Sequence, residues 1–209
     1  ELTAKHLLMY PLLQWILSSN RAHLAHIPKD KEIPAVGNCV GQFHLLSSNP
    51  QKEGRFRQLR ETAQGKKGGR GSFRVWHGSN AGNWHAILRT GLKNMSNTKL
   101  MSAGAAYGAG IYTASDFGTS LGYMGQPVIA WKNGTRLSQS NGLLLMALCE
   151  VADAENGLTR HNNNGIITIQ DEDLINTRFL MVYAGGCSGA KTTGANDVKV
   201  SDSLMALHH

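Results

Sequence analysis

Hydrophobic positions change period along this chain, helical in the first half and mostly strand-like in the second. Between residues 7 and 17, apolar side chains at Leu8, Leu12, Trp15 and Ile16 make a helical stripe. Pro11 suits a first turn, so the stripe predicts a helix over residues 11–19. GQFHLLSS (41–48) predicts a short strand. Asn49-Pro50 then opens a second helix, with Asn49 as cap, Pro50 at the first position and Phe56, Leu59 and Ala63 on one face. Phe73, Val75 and Trp76 read as a short buried strand. From Asn80 the period turns helical again through Trp84, Ile87 and Leu88, and Gly91 is placed as a stop. Glycines bracket a strand at 111–114, and a short helix follows near Ser115-Asp116. LLLMALCEV (143–151) is continuously apolar, as a central strand is. IITI and RFLMVY are further strands, joined by the acidic QDEDLINT. Helices first and strands later define an α+β class with one domain over residues 1–185. The Gly- and Ser-rich residues 186–209 read as a flexible tail.

Composition leaves that picture in place. The 209 residues are 41% hydrophobic and 17% charged, ordinary for a globular domain. No apolar run reaches membrane-spanning length, and no signal peptide opens the chain. The first residue is Glu1, which predicts a segment cut from a longer polypeptide. Cys39, Cys149 and Cys187 are odd in number and far apart, which fits a reducing compartment and argues against a disulfide scaffold or a zinc site.

Charge adds one feature. Lys52, Arg55, Arg57, Arg60, Lys66, Lys67, Arg70 and Arg74 lie between residues 51 and 74, opposed there only by Glu53 and Glu61. Nearly all of the net charge of +7 sits in this segment. It reads either as a solvated helix face with a mobile GKKGGRG connector or as a docking patch for an acidic or polyanionic partner. No aromatic series is interleaved to stack bases, which weakens a nucleic-acid-binding function.

Candidate chemistry begins at RVWHGSNAGNWHAILRTGL (74–92), where His77, Gly78 and Ser79 occupy a tight strand-to-helix junction. From this stretch alone His77 reads more readily as a hydrogen-bonded structural histidine than as a functional one. The second motif is YGAGIYTASDFGTSLGYM (107–124). Tyr107, Gly108 and Gly110 allow a close backbone approach, Tyr112 stands on a strand, and Ser120 and Tyr123 lie three apart on one helical face. Two rings, a hydroxyl and a glycine-flanked backbone suit a flat amide-bearing ring, although tyrosines at such spacing also serve as core.

Together the two motifs closely resemble the catalytic domain of the poly(ADP-ribose) polymerase superfamily, in its mono-ADP-ribosylating branch. LLQWILSSNRAH, FHLLSSNP, HGSNAGNWHAILRTGL, SNTKL, YGAGIY, ALCEV and TRFLMVY occur in the expected order over most of the chain. The resemblance implies the ADP-ribosyltransferase fold, with two packed, mostly antiparallel sheets and flanking helices. It implies NAD+ as co-substrate and no metal. It also implies residue roles. Gly78 offers its backbone to the nicotinamide carboxamide, and a residue without Cβ there lets the ring approach. Ser120 bonds the same carboxamide, and Tyr112 and Tyr123 sandwich the ring. His77 and Ser79 hold hydroxyls of the adenosine-side ribose. Asn83 lies near that ribose or serves as a helix first-turn residue. Lys93 stands where the family often places a cation near the pyrophosphate, or is a plain surface lysine. Residues 94–106 cover the donor. The reaction passes through an oxocarbenium-like state.

The family's third catalytic position, with His77 and Tyr112, falls on Phe179, three residues before Val182-Tyr183. Chain-elongating members carry Glu there, which polarises an acceptor hydroxyl. Phe cannot, so the resemblance implies transfer of single ADP-ribose units to an acceptor protein, the domain itself included. The alternative is a catalytically silent module that binds NAD or ADP-ribose. An intracellular setting, cytoplasmic rather than nuclear, is expected.

Overall fold

The computed structural model describes residues 6–19, 22–34, 39–47, 49–96, 98, 106–129, 137, 141–162, 165–187 and 194–205. Five α-helices are present among them: α1 (Met9–Ser19), α2 (Pro50–Gln64), α3 (Trp84–Thr90), α4 (Phe117–Leu121) and α5 (Asp202–Met205). The strands are β1 (Leu24–His26), β2 (Cys39–Leu45), β3 (Ser72–Gly78), β4 (Ile111–Ala114), β5 (Leu143–Ala152), β6 (Leu158–Arg160), β7 (Ile166–Ile169) and β8 (Ile175–Ala184). They form an eight-stranded hydrogen-bonded order, β1-β2-β8-β5-β3-β4-β7-β6, with every neighbour antiparallel. Where a pair of packed sheets is expected, the strands run as one antiparallel sheet, in which β1-β2-β8-β5-β3 and β4-β7-β6 meet at the β3–β4 seam. Between β3 and β4 the single pair Trp76–Ala114 joins them.

Local chemistry accounts for the element boundaries. The Asn49 side chain accepts from the N–H groups of Gln51 and Lys52, and Pro50 starts α2 with its missing donor. Gly91 ends α3 at φ 82°, a backbone state that disfavours side chains with a Cβ. Asp116 caps α4 by accepting from the Thr119 N–H. β5 is buried at every position, as its unbroken apolar run requires.

Alternation along β3 splits the core in two. Phe73 and Val75 join Phe56 of α2 with Trp84 and Ile87 of α3 on one face of the sheet. Trp76 joins Phe117, Met146, Phe179 and Tyr183 on the other. His77 follows Val75 by two and shares its face.

The structure differs from the sequence reading in four further places. Strands β1 and β6 are three residues each, too short to show a period. Helix α1 begins at Met9, with Pro11 inside its first turn, and buries none of its residues. It leans on α3 through Trp15, whose ring lies 5.7 Å from that of His85 and 5.6 Å from the Arg89 guanidinium. Part of the expected flexible tail is packed: Ala195 and Val198 are buried, Asn196 accepts from the Arg74 N–H, and Arg74 Nη1 donates to the Val198 carbonyl. Residues 188–193 and 206–209 lie outside the described set.

The basic segment is the fourth. Arg55 pairs with Asp173 at 3.0 Å, Arg60 with Glu150 at 3.6 Å and Lys66 with Glu155 at 2.8 Å. Arg57 reaches Glu53 one turn back, and Lys52 is buried. Acids far away in sequence therefore pair with Arg55 and Arg60 of α2 and with Lys66 just beyond it. Glu53 and Glu150 also clamp the buried guanidinium of Arg178, at 2.8 Å each, tying α2 to the centre of the sheet. Burial pushes the Glu150 carboxyl upward, but Arg178, Ser72 and Arg60 outweigh it and hold the group below the usual carboxylate range.

Candidate active site

A cavity of about 400 Å³ opens where β3 and β4 part. Past Trp76–Ala114 no further β3–β4 pair forms among the described residues. The gap is crossed instead by the His77 ring, whose Nδ1 lies 2.9 Å from the Tyr112 carbonyl oxygen. A carbonyl only accepts, so Nδ1 carries the proton. Burial lowers the His77 pKa, against the opposing effect of that bond, so the ring is neutral at pH 7. Neutral imidazole with Nδ1–H leaves Nε2 as an acceptor, which suits a ribose hydroxyl donor.

Gly78 lines the same cavity, and its lack of a side chain also serves the packing. A Cβ at position 78 would stand 2.2 Å from the Ser120 carbonyl oxygen and 3.3 Å from the Met124 nitrogen. The missing side chain thus lets α4 seat against β3. That contact brings Ser120 to the strand, where its hydroxyl donates to the Trp76 carbonyl at 3.0 Å. The hydroxyl oxygen keeps lone pairs free to accept from an amide N–H.

Asn83 donates from Nδ2 to the Ser79 hydroxyl at 3.0 Å and makes no side-chain cap bond to α3. It closes the 3₁₀ turn Ala81–Asn83 and stands directly before α3, where its first-turn alternative puts it. Trp84 Nε1 donates to the Ser79 carbonyl at 3.1 Å, fixing the junction. The Tyr112 hydroxyl is held by its own approach loop, accepting from the Tyr107 N–H and donating to the Gly108 carbonyl, both at 2.8 Å. Tyr123 follows α4 with 47% of its surface exposed.

His77, Gly78, Ser79, Asn83, Tyr112, Ser120 and Tyr123 all line the one cavity, and Lys93 stands at its edge. Phe179 is not among its lining residues. Through the sheet register Phe179 aligns with Leu148 and Trp76, on the face opposite His77. It is buried and stacks on His44 at 4.8 Å. No Asp or Glu lines the cavity among the described residues. Of the expected covering loop, residues 97 and 99–105 lie outside the described set.

Sequence reasoning passed over Glu172, in a one-turn 3₁₀ helix between β7 and β8. Its carboxylate pairs with Lys93 Nζ at 2.5 Å and accepts from the Asn94 N–H at 2.7 Å, pinning the cavity's edge. QDEDLINT reads as a connector, and only the fold brings it to Lys93. No group of three or more His, Cys, Asp or Glu is gathered for a metal among the described residues. No helix among them is long and apolar enough to cross a membrane.

An antiparallel sheet with flanking helices, split at a His-Gly-Ser junction, is the architecture of an ADP-ribosyltransferase catalytic domain. The profile of the poly(ADP-ribose) polymerase catalytic domain matches residues 47–184, and the chain belongs to that family. Two curated relatives are the human and mouse proteins named protein mono-ADP-ribosyltransferase PARP8. Each is 35% identical over 222 residues, covering 96% of this chain and 25% of the relative. The chain thus spans about a quarter of the length of these relatives.

Proposed function

We propose that this domain transfers single ADP-ribose units from NAD+ to a protein side chain and releases nicotinamide. The observation that carries the reading is the convergence of His77, Gly78, Ser79, Asn83, Tyr112, Ser120 and Tyr123 on one cavity. Ser120 and the Gly78 backbone would bind the carboxamide, with Tyr112 and Tyr123 against the ring. Neutral His77, with Ser79 and its partner Asn83, would hold ribose hydroxyls. The bond between nicotinamide and ribose C1′ breaks with its electron pair leaving on nicotinamide. An acceptor nucleophile then forms the new bond at C1′ and gives up its proton. The chain's part is to bind, orient and exclude water.

Transfer of single units, rather than polymer, is supported by the absence of acidic residues from β8 and by the names of the relatives. A second reading, donor binding without turnover, is favoured by one observation. The described cavity offers no carboxylate to stabilise positive charge on the ribose. Incubation with labelled NAD+ separates the two. Free nicotinamide and protein carrying single units are expected. Binding with no nicotinamide release would establish the silent module, and a ladder of lengthening chains would overturn single-unit transfer.

A further inference from the structure

Lys52, in the first turn of α2, is 6% exposed, and its Nζ has no hydrogen-bond partner among the described residues. A buried ammonium left alone is costly, which calls for a counter-charge within reach. The Nζ lies against Gly91, 2.7 Å from where a Cβ would stand. Gly91 begins the strap Gly91-Leu92-Lys93, which lines the cavity. Lys93 is the one Lys or Arg lining it among the described residues, and in the free protein it is taken by Glu172. Lys52 senses the charges of both Lys93 and Glu172. The neighbouring Asp173 is already engaged by Arg55. The start of α2 packs on the 3₁₀ turn that carries Glu172, where Arg55 already reaches Asp173, so two ammonium groups stand near one carboxylate and Lys93 holds it.

We propose that Lys52 is a positioning residue, the standby counter-ion of Glu172. When the diphosphate of the donor enters the strap end of the cavity, Lys93 swings from Glu172 to the phosphates. Lys52 then takes Glu172, which the Asn94 N–H has kept in place. Without that substitution, freeing Lys93 would leave a bare carboxylate beside an incoming polyanion. The exchange rests on the donor reading given above. It involves no bond change, only a re-pairing of charges across the contact between α2 and the turn that carries Glu172.

The test is calorimetric titration with two probes, ADP-ribose and benzamide, which carry respectively the diphosphate and the aromatic carboxamide. Lys52→Met is expected to weaken ADP-ribose about fivefold or more and to leave benzamide unchanged. Lys52→Arg, which keeps the charge, should recover most of the loss. On a Glu172→Gln background Lys52→Met should add nothing, because no carboxylate is left to pair. Should Lys52→Met fail to fold, Lys52→Gln makes the same comparison with a polar head retained. The proposal is overturned by unchanged ADP-ribose affinity, by equal loss of both probes, or by an undiminished Lys52→Met effect on Glu172→Gln. Wild-type protein that binds benzamide but not ADP-ribose overturns it while sparing the carboxamide slot. Protein that binds neither removes the donor reading itself.

Discussion

Gly78 and Ser120 meet so closely that a Cβ on the first would stand 2.2 Å from the carbonyl oxygen of the second. The strand and the helix that form the proposed nicotinamide slot are spaced by this contact. Gly78→Ala forces α4 away from β3 and is expected to cost about 1–3 kcal/mol, the usual range for overpacking. Urea denaturation measures the loss, and benzamide titration should report weakened binding in the same variant. Wild-type stability together with wild-type binding would show that the contact has no role in spacing the slot.

The depressed His77 pKa fixes the direction of a pH effect. Burial lowers it from the ordinary value of 6.5, while the unfolded chain keeps that value. Between the two, the unfolded state binds more protons, so folding stability falls as pH drops below about 6.5 and levels off beneath the folded pKa. His44, lowered by burial and by the charge of Arg178, acts in the same direction. Thermal midpoints from pH 8 to 5 should decline on the acid side, and His77→Gln should make the decline shallower. ADP-ribose affinity should hold steady near neutrality and fall once the ring protonates, since Nε2 then no longer accepts. Affinity that rises on acidification would contradict the neutral assignment.

Restoring the acidic residue of chain-elongating relatives at Phe179 should fail twice. The ring is buried between β2 and β5, stacked on His44 and packed in the cluster of Trp76 and Phe117. Phe179→Glu loses that packing and buries a carboxylate, at about 3 kcal/mol or more. Chemical denaturation should show the drop, and labelled NAD+ should show no polymer. A stable variant that builds a ladder would place the side chain in reach of the donor.

Local signals were the ones readable in the chain. Asn49-Pro50 carries its own cap chemistry, 111–114 is bracketed by glycines, and 143–151 is apolar enough to name a central strand. The His-Gly-Ser junction and the Ser120–Tyr123 pair name residues that line one cavity, although Tyr123 lies past the end of α4 and not on a helical face. What stayed hidden depends on distant partners. Arg55, Arg60 and Lys66 look like a free basic face until Asp173, Glu150 and Glu155 fold onto them. That Gly78 also spaces α4 from β3 shows only where Ser120 comes up against it. Glu172 gains meaning only where its turn reaches Lys93. Strands of three residues, β1 and β6, owe their existence to a neighbour's edge rather than to a pattern of their own.

The single Trp76–Ala114 pair has a consequence for motion. With one rung between β3 and β4, the three-stranded β4-β7-β6 half meets the five-stranded half along a seam held by shared core side chains, Val75 and Ile111 among them, more than by strand hydrogen bonds. A molecule held as proposed, by Gly78 and Ser120 on one side and by Tyr112 on the other, is a splice across that seam. It stiffens the sheet from outside the covalent chain, and amide protons of β4 and β7 then exchange with solvent more slowly, although no hydrogen bond has been added within either strand.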